Sequence, residues 1–284
     1  VKLLRATLAL FLLAIASPAF ATYAHVQDGQ NNTASGVGSI AASSITVTAG
    51  DTLIVGVYIA NSGKPIATVT GNGNTYTAAC TVTGAAFSTS YYYVLAAAAG
   101  ATVVTATAVG GLSGILVSEY SGLGAYAGCI GQTQAGTTNG TDTVTSTTIS
   151  ITSVPAMLWG MTANENNGVA PTAGTGFTTR GNPWLSPSGN LVLFEDRRVT
   201  STGSNAATFG SSGVGQYDNW DTTGLVFTEG SGASCTHSFW SSTGVFAVPN
   251  GTSGSYWNEG TGSFTTPNCT TGSYLLSTGA VGSN

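Results

Sequence analysis

Charge is scarce in this chain: 6% of its 284 residues are Asp, Glu, Lys or Arg, against about a quarter in an ordinary soluble domain. Two of the six basic residues, Lys2 and Arg5, lie in a stretch that reads as an export signal, so the remainder carries four bases against 11 acids. No basic patch is left that could neutralise phosphates. Nucleic acid is therefore not an expected partner, and anionic membranes are disfavoured for the same reason.

Long apolar runs are missing beyond residue 21. Before it, the basic start is followed by "ATLALFLLAIA" and then "SPAFA", whose Ala19-Phe20-Ala21 is an A-x-A cleavage signal. The run falls short of the ~18 apolar residues that span a bilayer. Residues 1–21 are read as a signal peptide, with a mature chain from Thr22 that is secreted or held at the cell surface and not inserted in the membrane.

Histidine is limited to His25 and His237, and no G-x-S-x-G elbow accompanies them, which argues against a serine triad. Metal ligands are as sparse. No cysteine pair has C-x-x-C spacing, and "NEN" at Asn164–Asn166 and "YDNWD" at Tyr217–Asp221 read as turn caps rather than calcium loops. No metal and no cofactor is expected. The four cysteines of an exported chain suggest two disulfides, for which three pairings exist. Cys80 with Cys129 and Cys235 with Cys269 keep each bridge within one region.

What the chain has in abundance is glycine, 40 residues of it, together with Ser, Thr and Asn, and its hydrophobic fraction of 42% is too high for disorder. Thr, Val and Tyr favour strands while Gly and Asn supply turns, so the fold is expected to be all-β. Two stretches look alike: "ITVTAGDTLIVG" (Ile45 to Gly56) matches "ISITSVPAMLWG" (Ile149 to Gly160). Further on, "ILVSEYSG" (Ile115 to Gly122) matches "LVFTEGSG" (Leu225 to Gly232), setting Glu119 against Glu229, and "YYYVL" and "LVLFE" are matching strands between them. This reads as an internally duplicated β-sandwich, jelly-roll-like, over residues 22–232.

A second repeat closes the chain. "GVFAVPNGTSGSY" (Gly244 to Tyr256) returns as "GSFTTPNCTTGSY" (Gly262 to Tyr274) after 18 residues. Its Pro-Asn turns predict a small β-meander over residues 233–284, stapled by Cys235 and Cys269 because so small a unit has little core.

Taken in order, "TAGDTLIVGV", "GNTYT", "SYYYVLAAAAGATVVTAT", "SEYSGL", "GTGFTTR" and "FEDRRVTSTGSNAATF" resemble an uncharacterised β-sandwich module of exported bacterial and phage-associated proteins. The tail is similar to the "F-x-V-P-x-G" repeats of phage fibres and bacterial surface proteins. The resemblance implies an exported sandwich attached to a surface, and no catalytic motif comes with it.

Against so little charge, the run Glu195-Asp196-Arg197-Arg198 stands out. On a strand Glu195 shares a face with Arg197 and Asp196 with Arg198. Leu191 and Leu193 continue the row of Glu195, so one of these acid–base pairs is expected inside the sandwich. There it would clasp the strand register, with Glu119 or Arg180 completing the network. Glycoside hydrolysis would need two carboxylates about 5 to 9.5 Å apart, for which Glu119, Glu195 and Glu229 are the candidates, without a local signature to support them.

Aromatics are the better functional lead. Trp159 and Trp220 read as core, and Tyr92 should face away from Tyr91 and Tyr93. Trp184, in "RGNPWLSPSGN", reads as a loop residue able to stack on a sugar, with Tyr217, Asp218 and Asn219 as a second patch. Trp240 and Trp257 read as a packed ladder in the tail. With so few lysines, strand edges must be short, covered or paired with another copy, so self-association is a further expectation. The expected function is non-enzymatic recognition of a carbohydrate or cell-surface polymer, or adhesion. The alternatives are a jelly-roll glycoside hydrolase and a purely structural, self-assembling surface protein.

Overall fold

The computed structural model describes residues 22–60, 66–84, 87–135, 143–164, 171–185, 191–211 and 219–230, and in the C-terminal part 239–241, 246–247, 255–258, 264–265, 273–276 and 281–283. These residues form strands and turns with no helix. Contacts divide the chain into a unit spanning Tyr23–Gly230 and another that contains Ser231–Asn284.

The first unit contributes eight strands before Gly122: β1 (Ala24–Ala41), β2 (Ile45–Val47), β3 (Thr52–Ile59), β4 (Ile66–Thr70), β5 (Thr77–Thr83), β6 (Ser88–Val94), β7 (Gly100–Thr102) and β8 (Thr105–Ser121). After it come β9 (Leu123–Ala135), β10 (Thr143–Thr145), β11 (Ile149–Ile151), β12 (Ala156–Asn164), β13 (Pro171–Ala173), β14 (Thr178–Leu185), β15 (Leu191–Val199), β16 (Gly203–Asn205), β17 (Thr208–Ser211) and β18 (Asn219–Glu229). One large sheet runs β1-β8-β3-β6-β5, with β4 also on β8, and the other runs β14-β15-β12-β18-β9. The chain therefore passes from one large sheet to the other at Gly122, whose φ of 71° suits glycine.

The two sheets share a core in which Ile54, Tyr58 and Leu116 meet Trp159, Phe194 and Phe227. That is a β-sandwich, and it is covered on both outer faces. Val55, Val57 and Val117 of the first sheet pack under Ile45, Val47 and Val104. On the second sheet Leu158 and Val226 pack with Ile151, and Leu193 packs with Ala207 and Phe209. Double coverage explains why "TLIVGVYI" is an unbroken apolar run: all eight positions of β3 are buried, where a strand with one wet face would alternate. Each such aliphatic side chain contributes about 1.5–3 kcal/mol by leaving water.

One pairing scheme occurs twice. β3 lies between β8 and β6, with β1 and β5 outside them; β12 lies between β18 and β15, with β9 and β14 outside them. The covering pairs β2–β7 and β11–β16 correspond as well. The side-chain faces do not follow the sequence match, however. A Cβ on Gly56 would meet Phe194 and Trp159 inside the sandwich, whereas one on Gly160 would meet Ala207 and Phe209 on the outer side. A one-residue slip moves a strand's residues to the opposite face, so Glu119 and Glu229 are not equivalent. Glu119 is paired with outward-facing Leu53, while Glu229 continues the inward row of Leu225 and Phe227.

The C-terminal unit holds β19 (Phe239–Ser241), β20 (Phe246–Ala247), β21 (Ser255–Asn258), β22 (Phe264–Thr265), β23 (Ser273–Leu276) and β24 (Val281–Ser283). Here the expected meander is corrected. β19, β21 and β23 pair in parallel, as do β20 and β22, and only β24 joins antiparallel. Tyr256 lies opposite Tyr274 and Phe246 opposite Phe264, so corresponding strands of successive repeats pair in parallel, one 18-residue step apart. Cys235 and Cys269 lie outside the described residues.

Candidate functional site

The acid–base run of β15 is divided between the two faces of its strand, and every member finds its partner on another element. Asp196 faces inward and is 2% exposed. It accepts from Arg180 Nε at 2.6 Å and Nη2 at 2.9 Å, and from the Tyr120 hydroxyl at 2.6 Å. Arg198 forms a two-pronged pair with Glu229. On the outer face, Glu195 accepts from the Gly174 amide at 2.9 Å, and Arg197 donates to Asn205 at 2.9 Å with its guanidinium over the Phe177 ring. The expected pairs, Glu195 with Arg197 and Asp196 with Arg198, are therefore replaced. Side chains two apart on a strand point the same way about 6.6 Å apart, and neighbouring strands offer closer partners. Arg180 does complete the network, whereas Tyr120 takes the place expected of Glu119. Burial lowers the Arg180 guanidinium's affinity for its proton, but the Asp196 carboxylate outweighs it and the net shift is upward.

The clasp continues across the seam between the sheet edges β1 and β14. Asp28 receives the Ser118 hydroxyl at 2.6 Å and the Gly181 amide at 2.8 Å, with His25 Nε2 at 2.9 Å. Burial raises the Asp28 pKa, but the His25 and Ser118 bonds outweigh it and the net shift is downward. Ser118, Asp28 and His25 do not form a nucleophilic triad, because the carboxylate lies between hydroxyl and imidazole, and the imidazole is not set to take the hydroxyl proton. Gln30 and Asn182 exchange side-chain-to-backbone bonds beside them. At the opposite seam the Cys80–Cys129 disulfide joins β5 to β9, as the sequence suggested. Tyr93 stacks on Tyr126 beside it, ring centroids 4.7 Å apart. None of Asp28, Ser118 or Tyr120 carried a sequence signal, since each meets partners on distant strands.

The three glutamates do not converge. Glu119 lies on the outer side of the first sheet, where it accepts from the Thr48 amide at 2.7 Å and from Gln27. Burial and the neighbouring Glu119 carboxyl push Asp51 up to about 6. Glu195 lies on the outer side of the second sheet, and burial pushes it up to about 8 against the amides of Gly174 and Thr208. Glu229 faces inward. Sheets stack about 10 Å apart, so Glu119 and Glu195 have the whole core between them. Among the described residues no three His, Cys, Asp or Glu side chains gather as a metal site.

A third polar group lies inside the sandwich. Asp221 and Thr223 of β18 face Thr89 and Tyr91 of β6, all at most 2% exposed. Asp221 lies against Gly84, and burial, opposed by the Gly84 amide, pushes its carboxyl up to about 7. A neutral acid here limits the cost of a buried charge.

Of the ligand candidates, Trp184 and Asn219 fall among the described residues. Trp184 sits on edge strand β14 opposite Val192, after a bulge between Arg180 and Trp184, rather than in a loop. Pro183 is tolerated there because an edge strand has one unpaired side. The row continues Val192–Ala163–Asp221–Thr133, so Trp184 lies three strand spacings from β18, about 14 Å. Asn219 opens β18 opposite Ala135, while Tyr217 and Asp218 lie outside the described residues. Trp159 and Trp220 are buried in the core, and Tyr92 packs outward while Tyr91 and Tyr93 pack inward. No family model, curated protein or solved structure matches the chain.

Proposed function

We propose that this protein is an exported, non-enzymatic recognition or adhesion module that holds a carbohydrate or cell-surface polymer at one end of its second sheet. The observation that supports it most is the row across that sheet. It brings the strand ends that carry Trp184 and Asn219 to a single end of the sandwich, within the span of a short oligosaccharide. Ends of β-sandwiches suit this work, since a rigid scaffold holds variable connections there. A glycosidase gains no comparable support: Glu119 and Glu229 are tied to structural partners, and Glu195 is enclosed beneath the outer strands. The Cys80–Cys129 bridge fits an oxidising compartment.

The test is a glycan and polysaccharide binding screen on the chain from Thr22, with Trp184→Ala as control and chromatography for products. Binding that is lost in the control, without products, is the expected result. Released sugars would transfer the function to the carboxylates, and absence of binding to any glycan would leave the purely structural alternative.

A further inference from the structure

The two large sheets are tied at both pairs of edges. Asp28 with Gly181 and Gln30 with Asn182 link β1 to β14, and the disulfide links β5 to β9. Between these edges lies the polar group where β6 faces β18. There Thr89, Tyr91, Asp221 and Thr223 are each at most 2% exposed. Thr89 Oγ1, the Tyr91 hydroxyl, Asp221 Oδ2 and Thr223 Oγ1 all lack a hydrogen-bond partner in the protein. Four such atoms in one place are out of keeping with a folded core, whose buried polar groups are nearly all bonded to protein or to ordered water.

Most of their neighbours on the same sheets are apolar. Met161 and Gly131 flank Thr223, Gly56 and the disulfide-bonded Cys80 flank Tyr91, Val82 adjoins Thr89 and Ala163 adjoins Asp221. None of these six has a side-chain donor. Trp159 packs against the Tyr91 ring, centroids 5.9 Å apart. The four polar groups do come near one another. Burial raises the Tyr91 pKa, the Thr223 and Thr89 hydroxyls partly offset the rise, and the Asp221 carboxylate adds to it. They are close neighbours without well-formed bonds, an arrangement that one small molecule among them completes.

That molecule has to donate as well as accept. The three hydroxyls do both, and so does a carboxyl whose neutral form burial favours. A cation only receives lone pairs, and Asp221 is the single acid in the group. The other buried acids of β15 and β18 have arginines or paired amides, whereas among the described residues the Gly84 amide is the donor the chain gives the Asp221 carboxyl. We propose that a water molecule binds inside the sandwich between β6 and β18, held by Thr89, Tyr91, Asp221 and Thr223. Buried waters make about three hydrogen bonds to groups of this kind, and four are at hand. The water is a structural ligand that couples the facing sheets where neither edge tie reaches. It is independent of the polymer proposed above.

The experiment is a crystal structure of the full chain at a resolution that shows ordered water, paired with water-to-protein NOE spectra. The expected result is one density peak about 2.7–3.0 Å from at least three of the four oxygens. Cross-peaks from water to the Tyr91 ring and the Thr89 and Thr223 methyls should carry the sign of a long-lived water. Thr89→Val with Thr223→Val keeps the side-chain shapes and removes two partners, so the folded variant should lose the Tyr91 cross-peak. The wild-type density and spectra decide the matter even where that variant fails to fold. Density in which the four oxygens bond one another directly, with no peak among them, would overturn the proposal. So would a peak with oxygen distances of about 2.4 Å, which marks a cation, or a folded double variant that keeps its cross-peak.

Discussion

Replacing Arg180 by Met tests the clasp most directly. The Met side chain retains most of the aliphatic stem and removes both charged bonds to Asp196, whose carboxylate would keep the Tyr120 hydroxyl as partner. Breaking a buried pair by deleting one member costs about 3–5 kcal/mol, because the other charge stays buried without compensation. The Arg180 side chain is 20% exposed and that of Asp196 3%, so solvent takes part of the load and the lower end, about 3 kcal/mol, is expected. For a unit of this size that is about 6–12 °C in melting temperature. Urea unfolding, followed through the buried Trp159 and Trp220, measures it. Adding Asp196→Asn removes the stranded charge and should recover part of the loss, a non-additivity that a pair of independent sites would not give. An Arg180→Met variant within about 1 kcal/mol of wild type, or one whose loss Asp196→Asn does not relieve, would refute the reasoning.

The remaining expectations concern burial and closure. Glu195, Asp221 and Asp51 are pushed up to about 8, 7 and 6, so the folded chain holds these protons more tightly than the unfolded one. Their combined effect makes stability fall as pH rises from about 4 to 8, and melting curves across that range should decline. A flat or rising profile would contradict the assignment. Asp221→Asn should lessen that decline at the alkaline end, read in the same melts. Gly174→Ala would put a Cβ 2.0 Å from the Thr208 carbonyl oxygen while disturbing the amide bonded to Glu195, and should cost about 1–3 kcal/mol in urea titrations. Replacing Cys80 and Cys129 by Ser opens a link across 49 residues, with an expected loss of up to about 4 kcal/mol. A dithiothreitol-treated wild type should match that variant.

The amino-acid sequence by itself determined the class of this protein and much of its core, and it suggested the Cys80–Cys129 bridge as one of three pairings. Thr, Val, Tyr and Gly in these proportions favour strands and turns, Trp159 lies in a run too apolar to face water, and Trp220 opens the last long strand. The alternation of Tyr91, Tyr92 and Tyr93 follows from the two-residue period of any strand. Tertiary structure alone decided who meets whom. A charged pair on β15 was expected inside the sandwich on the row of Leu191 and Leu193, but that row faces the outer cover and Asp196 is the inward acid; Arg180 and Tyr120 reach it from 16 and 76 residues away, and local spacing carries no information about such neighbours. The sequence match of Glu119 with Glu229 failed because a slip of one residue, trivial in an alignment, exchanges the two faces of a sheet. Trp184 looked like a loop residue because prolines surround it, yet an edge strand with a bulge accommodates Pro183. The same holds in the tail: the 18-residue repeat and its Pro-Asn turns suit either a folded-back meander or parallel pairing. The choice between them rests on whether each strand pairs with its neighbour across a turn or with its counterpart one repeat away.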